Sequence, residues 1–160
     1  MADQWQRDEF VISTDKRRLD LDLIHGYLSG ESYWATGRPR DVTERSIENS
    51  LAFGIYKGSR QVGFARVITD YATLAWIADV FVLQEFRGQG LSKWLMDVMI
   101  THPGLQGFRR WLLATKDAHG LYQKYGFGEL RNPGRWMERH DRNCIESPDY
   151  WRLPKEGESA

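Results

Sequence analysis

Among 160 residues there is a single cysteine. One thiol cannot close an internal disulfide, which excludes the disulfide-stapled secreted class and points to a reducing, cytoplasmic compartment. Cys144 lies in the polar run "DRNCIESPD" with no His or Cys cluster around it, so it reads as an ordinary thiol and no metal is expected. An excess of either charge is also missing, since 22 Lys and Arg balance 22 Asp and Glu. Nucleic-acid binding normally leaves a basic surplus, so that class of partner is set aside. No apolar run approaches the roughly 20 residues that span a bilayer, and no membrane partner is expected. The opening "MADQWQRDEF" has neither a basic start nor an apolar stretch, so it does not read as a secretory signal. Repeats and low-complexity tracts are absent. The length suits one domain, here residues 1–153, with a frayed tail at 154–160.

Aromatic residues are plentiful, with seven each of Trp, Tyr and Phe. Leu21, Ile24 and Leu28 recur at helical spacing before Gly30, and a second helix starts near Asp41 or Thr43 with Ile47 and Leu51 inward. Phe10 to Ser13 reads as a first strand. The segment 51–70 reads as a hairpin turning at Lys57-Gly58-Ser59-Arg60. Thr73 to Leu83 is almost continuously apolar, the pattern of a central strand buried on both faces. By simple alternation Trp76 shares a face with Val80 and Val82, while Asp79 and Phe81 point the other way. A helix follows with Leu91, Trp94, Leu95, Val98 and Met99 on one stripe, leaving Lys93 and Asp97 in solvent. Arg109 to Thr115 is another strand, and Asp117 caps a short helix, 118–125, that Gly126 ends. "FGEL" and "GRWMER" read as two last strands. The result is an α/β fold: a mixed, mostly antiparallel sheet of six to seven strands, helices on both faces, and one parallel β-α-β crossover.

Between the buried strand and its helix stands Arg87-Gly88-Gln89-Gly90-Leu91-Ser92. Glycines remove Cβ atoms, so a phosphate can approach the backbone N–H groups at the positive end of a helix dipole. A tight strand-to-helix turn with a surface arginine would satisfy the same residues. A P-loop is excluded because Leu91 and Ser92, rather than Lys and Ser/Thr, follow Gly90. The dinucleotide fingerprint is excluded by its position near the first strand and its three spaced glycines.

This loop resembles the acyl-CoA signature Arg/Gln-x-x-Gly-x-Gly/Ala of the GNAT superfamily of N-acetyltransferases, matched by Arg87, Gly90 and, with a small departure, Ser92. Further on, "TKDAHGLYQKYGF" resembles the superfamily's short tyrosine-bearing helix before Gly-Phe, matched by Tyr122, Gly126 and Phe127. The resemblance implies that acetyl-CoA is the cosubstrate. Its pantetheine arm would pair with the backbone of Phe81, Val82 and Leu83, and its diphosphate would rest on Arg87, Gly88, Gln89, Gly90, Leu91 and Ser92. Asp117 and Tyr125 are assigned to the same cofactor. Tyr122 is the implied acid for the departing thiolate, and a backbone N–H at Phe81 or Val82 the oxyanion donor.

Asp79, the lone carboxylate of an apolar strand, is the candidate base, with a salt bridge to Arg66 as the competing structural role. His119 reads as a solvated surface residue, and Gly120 as making room for the cofactor or a neighbouring element. Tyr27, Tyr33, Trp34 and Arg38 occupy the region where the superfamily's acceptor approaches. Tyr33, Trp34 and Arg38 are the candidate substrate contacts, suited to a small amine that carries a carboxylate or stacks on an aromatic face. The expected activity is acetylation of a primary amine on a small or amino-acid-like molecule, by a monomer or homodimer. A silent acyl-CoA-binding module and acetylation of a protein or peptide amine are the alternatives.

Overall fold

A computed structural model describes residues 2–139. Cys144, the boundary expected at residue 153 and the tail 154–160 lie outside those residues. In chain order the helices are α1 (Leu21–Gly30), α2 (Arg40–Glu48), α3 (Leu91–Thr101) and α4 (His119–Gln123). The strands are β1 (Gln4–Arg7), β2 (Phe10–Ser13), β3 (Leu51–Lys57), β4 (Arg60–Thr69), β5 (Leu74–Val82) and β6 (Arg110–Leu112). Two compact units form. One takes the described part of Met1–Asp20 with Ile47–Gly128, the other Leu21–Ser46 with the described part of Glu129–Ala160.

The first unit is a six-stranded sheet in the order β1-β2-β3-β4-β5-β6, antiparallel at every step except the parallel β5–β6 pair. Asp8 turns the β1–β2 hairpin in the left-handed region (φ 52), which Asp tolerates better than most residues. The β4–β5 turn is held by Asp70, whose carboxylate accepts from Thr73 Oγ1 and from the N–H groups of Thr73, Ala72 and Leu74. Those bonds, led by the Thr73 hydroxyl, hold its carboxyl well below the usual range. Helix α3 delivers Leu91, Trp94, Leu95, Met96, Val98 and Met99 to the same core as Phe53, Ile55, Val67, Ile77 and Val82. Each large aliphatic side chain buried there contributes about 1.5–3 kcal/mol. Lys93 and Asp97 face solvent, as the stripe predicted.

In the second unit, α1 buries Ile24, Tyr27 and Leu28. Arg40 joins it to α2 by reaching Asp22 on one helix and Glu44 on the other, and His25 Nδ1 lies 3.4 Å from Thr43 Oγ1.

Several expectations need correction. β1 was not foreseen, and Leu51 belongs to β3 rather than to an inward helix face. β5 is next to an edge rather than central; Leu74 and Trp76 are 38% and 37% exposed, so its first half alternates. β6 is shorter than 109–115. Residues 127–130 and 134–139 form no strand: Pro133 opens a 3-10 turn ending at Arg135, and proline cannot donate to a ladder. Asp117 does not cap α4. Ala118 stands at the cap, its N–H donating to Thr115 Oγ1 at 3.1 Å, and Asp117 is exposed.

Candidate active site

The site is built around an irregularity in β5. Phe64 pairs with Phe81 but Arg66 pairs with Ala78, so β5 carries one residue more than β4 across that interval. Such a bulge needs one residue off the extended conformation, and Asp79 supplies it at φ 53. The extra residue reverses the side-chain alternation downstream. Trp76, Ala78 and Phe81 therefore share the face of Ile68, Arg66 and Phe64, while Ala75, Ile77 and Val82 join the α3 core. This corrects the expectation that Trp76 faces with Val82. Asp79 is buried, and Arg66 Nε donates to its Oδ2 at 2.7 Å.

Beyond the bulge, β5 has left its parallel neighbour, because β6 pairs with it only over Leu74–Trp76. Leu83 donates its N–H to Val62 O at 2.9 Å on the β4 side. Alternation then turns the Val82 N–H and C=O to the opposite edge, where no described strand pairs with them. Arg87 Nε donates to that Val82 carbonyl at 3.0 Å. Of the predicted run Phe81, Val82 and Leu83, only Val82 thus turns its main-chain polar groups away from β4, and Arg87 engages its carbonyl.

The glycine loop completes it. Gly88 and Gly90 both adopt positive φ (78° and 72°), and Gly90 is the N-cap of α3 with no side-chain cap. Among the described residues, no backbone N–H from Gly88 to Ser92 donates a hydrogen bond. A row of free amides at the positive end of an 11-residue helix is a fitting anion cradle. A Cβ on Gly88 would meet open space, so that glycine serves backbone conformation rather than packing.

The loop lies back across the end of the sheet. Glu85 pairs with Arg60 at the start of β4, and Phe86 stands edge-on to Phe10 of β2 at 6.3 Å and 88°. At the far edge, Arg7 of β1 donates from Nη2 to Gln89 O at 3.1 Å and from Nη1 to Gly90 O at 3.4 Å. Its guanidinium carbon sits 4.8 Å from the centre of the Trp94 ring. Nothing in the sequence links Arg7 to a loop 82 and 83 positions later, so it escaped the sequence reading.

Tyr122 is buried on α4, packed edge-on against Phe127 at 6.0 Å. Gly126 (φ 84) turns the chain so that the Phe127 N–H returns to Tyr122 O at 3.2 Å. Tyr125 Oη donates to Lys93 O at 2.7 Å, tying α4 to α3; burial and the Asp97 carboxylate push its hydroxyl up to about 12. His119 is exposed, and a Cβ on Gly120 would meet open space, so no neighbouring described element demands that glycine.

The proposed acceptor residues lie in the other unit. Tyr33 and Trp34 are exposed and meet edge to face at 5.1 Å and 84°. Their loop is braced by Ser32, whose Oγ donates to Leu28 O at 2.6 Å and accepts from the Ala35 N–H. Arg38 is buried. Among the described residues, no helix is long and apolar enough to cross a membrane, and no three His, Cys, Asp or Glu stand together to hold a metal ion.

Comparison with known proteins agrees with this architecture. The profile of the Acetyltransferase (GNAT) family matches residues 17–127. A Gibberella zeae protein provisionally named an acetyltransferase is 30% identical, over 75% of this chain and 79% of its own. A crystal structure from Xanthomonas campestris pv. campestris, provisionally named a GNAT acetyltransferase, is 50% identical, with TM-score 0.83 over 86% of this chain and 97% of that one. A Clostridium acetobutylicum protein solved with acetyl-CoA shares the fold at 12% identity, with TM-score 0.55 over 88% and 96% of the two chains. Taken with the bulged strand, its open edge and the glycine-capped helix, these matches make the chain an acyltransferase belonging to the GNAT acetyltransferase family.

Proposed function

We propose that the protein transfers an acetyl group from acetyl-CoA to the primary amine of a small or amino-acid-like molecule. The observation that carries this reading is the run of unengaged amides from Gly88 to Ser92 beside the open edge of β5. Free N–H donors at a helix start suit a diphosphate, and a strand edge that no described strand covers suits an amide-bearing arm. Arg87, Gly88, Gln89, Gly90, Leu91 and Ser92 would hold the first, and Phe81, Val82 and Leu83 the second. Asp117 and Tyr125 are assigned to the same cosubstrate.

When bound, acetyl-CoA supplies an acyl group activated as a thioester. The Val82 N–H, turned to the open edge, is the donor for an oxygen that gains negative charge. Tyr122 Oη holds the proton for a departing thiolate. A phenol near pKa 10 yields it to a thiolate near 8.5 only with help from its surroundings or late in the reaction. Asp79 takes the proton that an ammonium must lose, directly or through water. Tyr33, Trp34 and Arg38 are assigned to the acceptor, with the aromatic pair contacting the amine and the arginine a carboxylate.

Calorimetric titration with acetyl-CoA, followed by a thiol-release screen over an amine panel, tests the reading. Saturable heat and turnover with small amines are expected. No heat and no thermal shift would end it.

A further inference from the structure

Arg7 makes contacts that sheet formation does not require. As the last residue of β1, it pairs with Phe10 through the backbone while its side chain leaves the strand and meets the glycine loop. Its two terminal nitrogens address two successive carbonyls, those of Gln89 and Gly90, and its guanidinium carbon sits over the Trp94 ring. Gly90 O also accepts the first α3 bond, from the Trp94 N–H at 3.0 Å.

A trans peptide is planar, and its C=O and N–H point in opposite directions. No cis peptide bond occurs among the described residues. Holding Gln89 O toward Arg7 therefore aims the Gly90 N–H away from it, and holding Gly90 O does the same for the Leu91 N–H. Both belong to the row of unengaged amides at the start of α3. The flanking glycines make this orientation cheap to lose, because Gly88 and Gly90 have no Cβ to oppose a peptide flip. A flipped peptide would present a carbonyl oxygen where an anion needs a donor.

We propose that Arg7 is a positioning residue for coenzyme binding: by gripping the Gln89 and Gly90 carbonyls it sets the Gly90 and Leu91 amides toward the diphosphate. It acts from behind the loop rather than by touching the ligand. The idea rests on the diphosphate reading of the loop given above.

Coenzyme A and S-acetylpantetheine, which lacks the diphosphate, are the two probes. Wild type, Arg7→Ala, Arg7→Gln and Arg7→Lys are compared by calorimetry with coenzyme A and by steady-state kinetics with acetyl-CoA and S-acetylpantetheine. Loss of a charge-assisted contact predicts coenzyme A affinity roughly ten-fold weaker in Arg7→Ala and Arg7→Gln. The KM for acetyl-CoA should rise with kcat at saturation preserved, and kcat/KM for S-acetylpantetheine should stay unchanged. Lysine keeps the charge but not the fork, so Arg7→Lys should fall between. Unchanged coenzyme A affinity in Arg7→Ala, full recovery by lysine, or parallel losses with both donors would each overturn the proposal. Wild type that binds no coenzyme A would instead overturn the diphosphate reading, and this proposal with it.

Discussion

The buried Asp79 and the half-buried Arg66 form an ion pair, Nε to Oδ2 at 2.7 Å, across the two strands at the point where their register slips. The pair sits on the residue that makes the bulge, so charge and backbone geometry are coupled at one position. Asp79→Asn removes the charge, keeps a side chain that accepts positive φ, and leaves the half-buried Arg66 guanidinium without its countercharge. Denaturant unfolding should show a loss of about 3–5 kcal/mol. Arg66→Met in that background should recover part of it. If Asp79 also takes the proton, the acidic limb of the pH–rate profile vanishes in Asp79→Asn; a profile of unchanged shape confines the residue to structure.

Tyr122→Phe keeps the ring against Phe127 and deletes the hydroxyl. Turnover should fall by a factor on the order of 100 with coenzyme A affinity unchanged, the signature of a group used in proton transfer. Equal turnover in the two proteins would remove Tyr122 from the chemistry.

Gly88 and Gly120 both face open space, yet they differ in backbone, Gly88 at φ 78 and Gly120 within α4. Gly88→Ala should destabilise by roughly 1–2 kcal/mol through strain alone. Gly120→Ala should stabilise by up to about 1 kcal/mol through helix propensity. If that space receives the coenzyme, Gly120→Ala binds it more weakly despite the higher melting temperature. Undiminished binding would place the ligand elsewhere.

Tyr56 is buried beneath Arg18, whose Cζ lies 4.2 Å from the ring centre, and among the described residues its hydroxyl has no hydrogen-bond partner. Burial pushes that hydroxyl up to about 12. The folded state therefore holds the proton more tightly than the unfolded chain, whose tyrosine titrates near 10. The stability this provides is intact below pH 10 and is lost as the pH rises toward 12. Tyr125 adds a loss of the same sign. Tyr56→Phe should flatten this alkaline decline in thermal melts and gain about 1 kcal/mol at neutral pH by removing an unsatisfied polar atom. A lower neutral melting temperature would mean the hydroxyl is satisfied after all.

Local signals carried the sequence reading and long-range ones escaped it. The α3 stripe, the Gly58 turn and the Gly88–Gly90 loop announce themselves because their causes lie within a few residues. β1 went unseen because "QWQR" holds one apolar residue, Trp5, and the strand exists by pairing with β2. "GRWMER" looked like a strand by composition, but Pro133 and exposure through residue 139 leave it irregular. The Asp79 bulge was invisible because alternation assumes an unbroken register. It changed the neighbours of every later side chain in β5. Arg66 could be named as a partner from the hairpin; Arg7 could not, since its target is defined only after the sheet is assembled.

That distance has a consequence for assembly. Closing a chain segment of 83 positions costs more loop entropy than closing hairpins, which form from neighbours. If Arg7 sets the loop as proposed, a chain trimmed up to β2 should hold coenzyme A more weakly than the full one. Earlier elution of such a chain from an immobilised coenzyme would then report that β1 is missing from behind the loop.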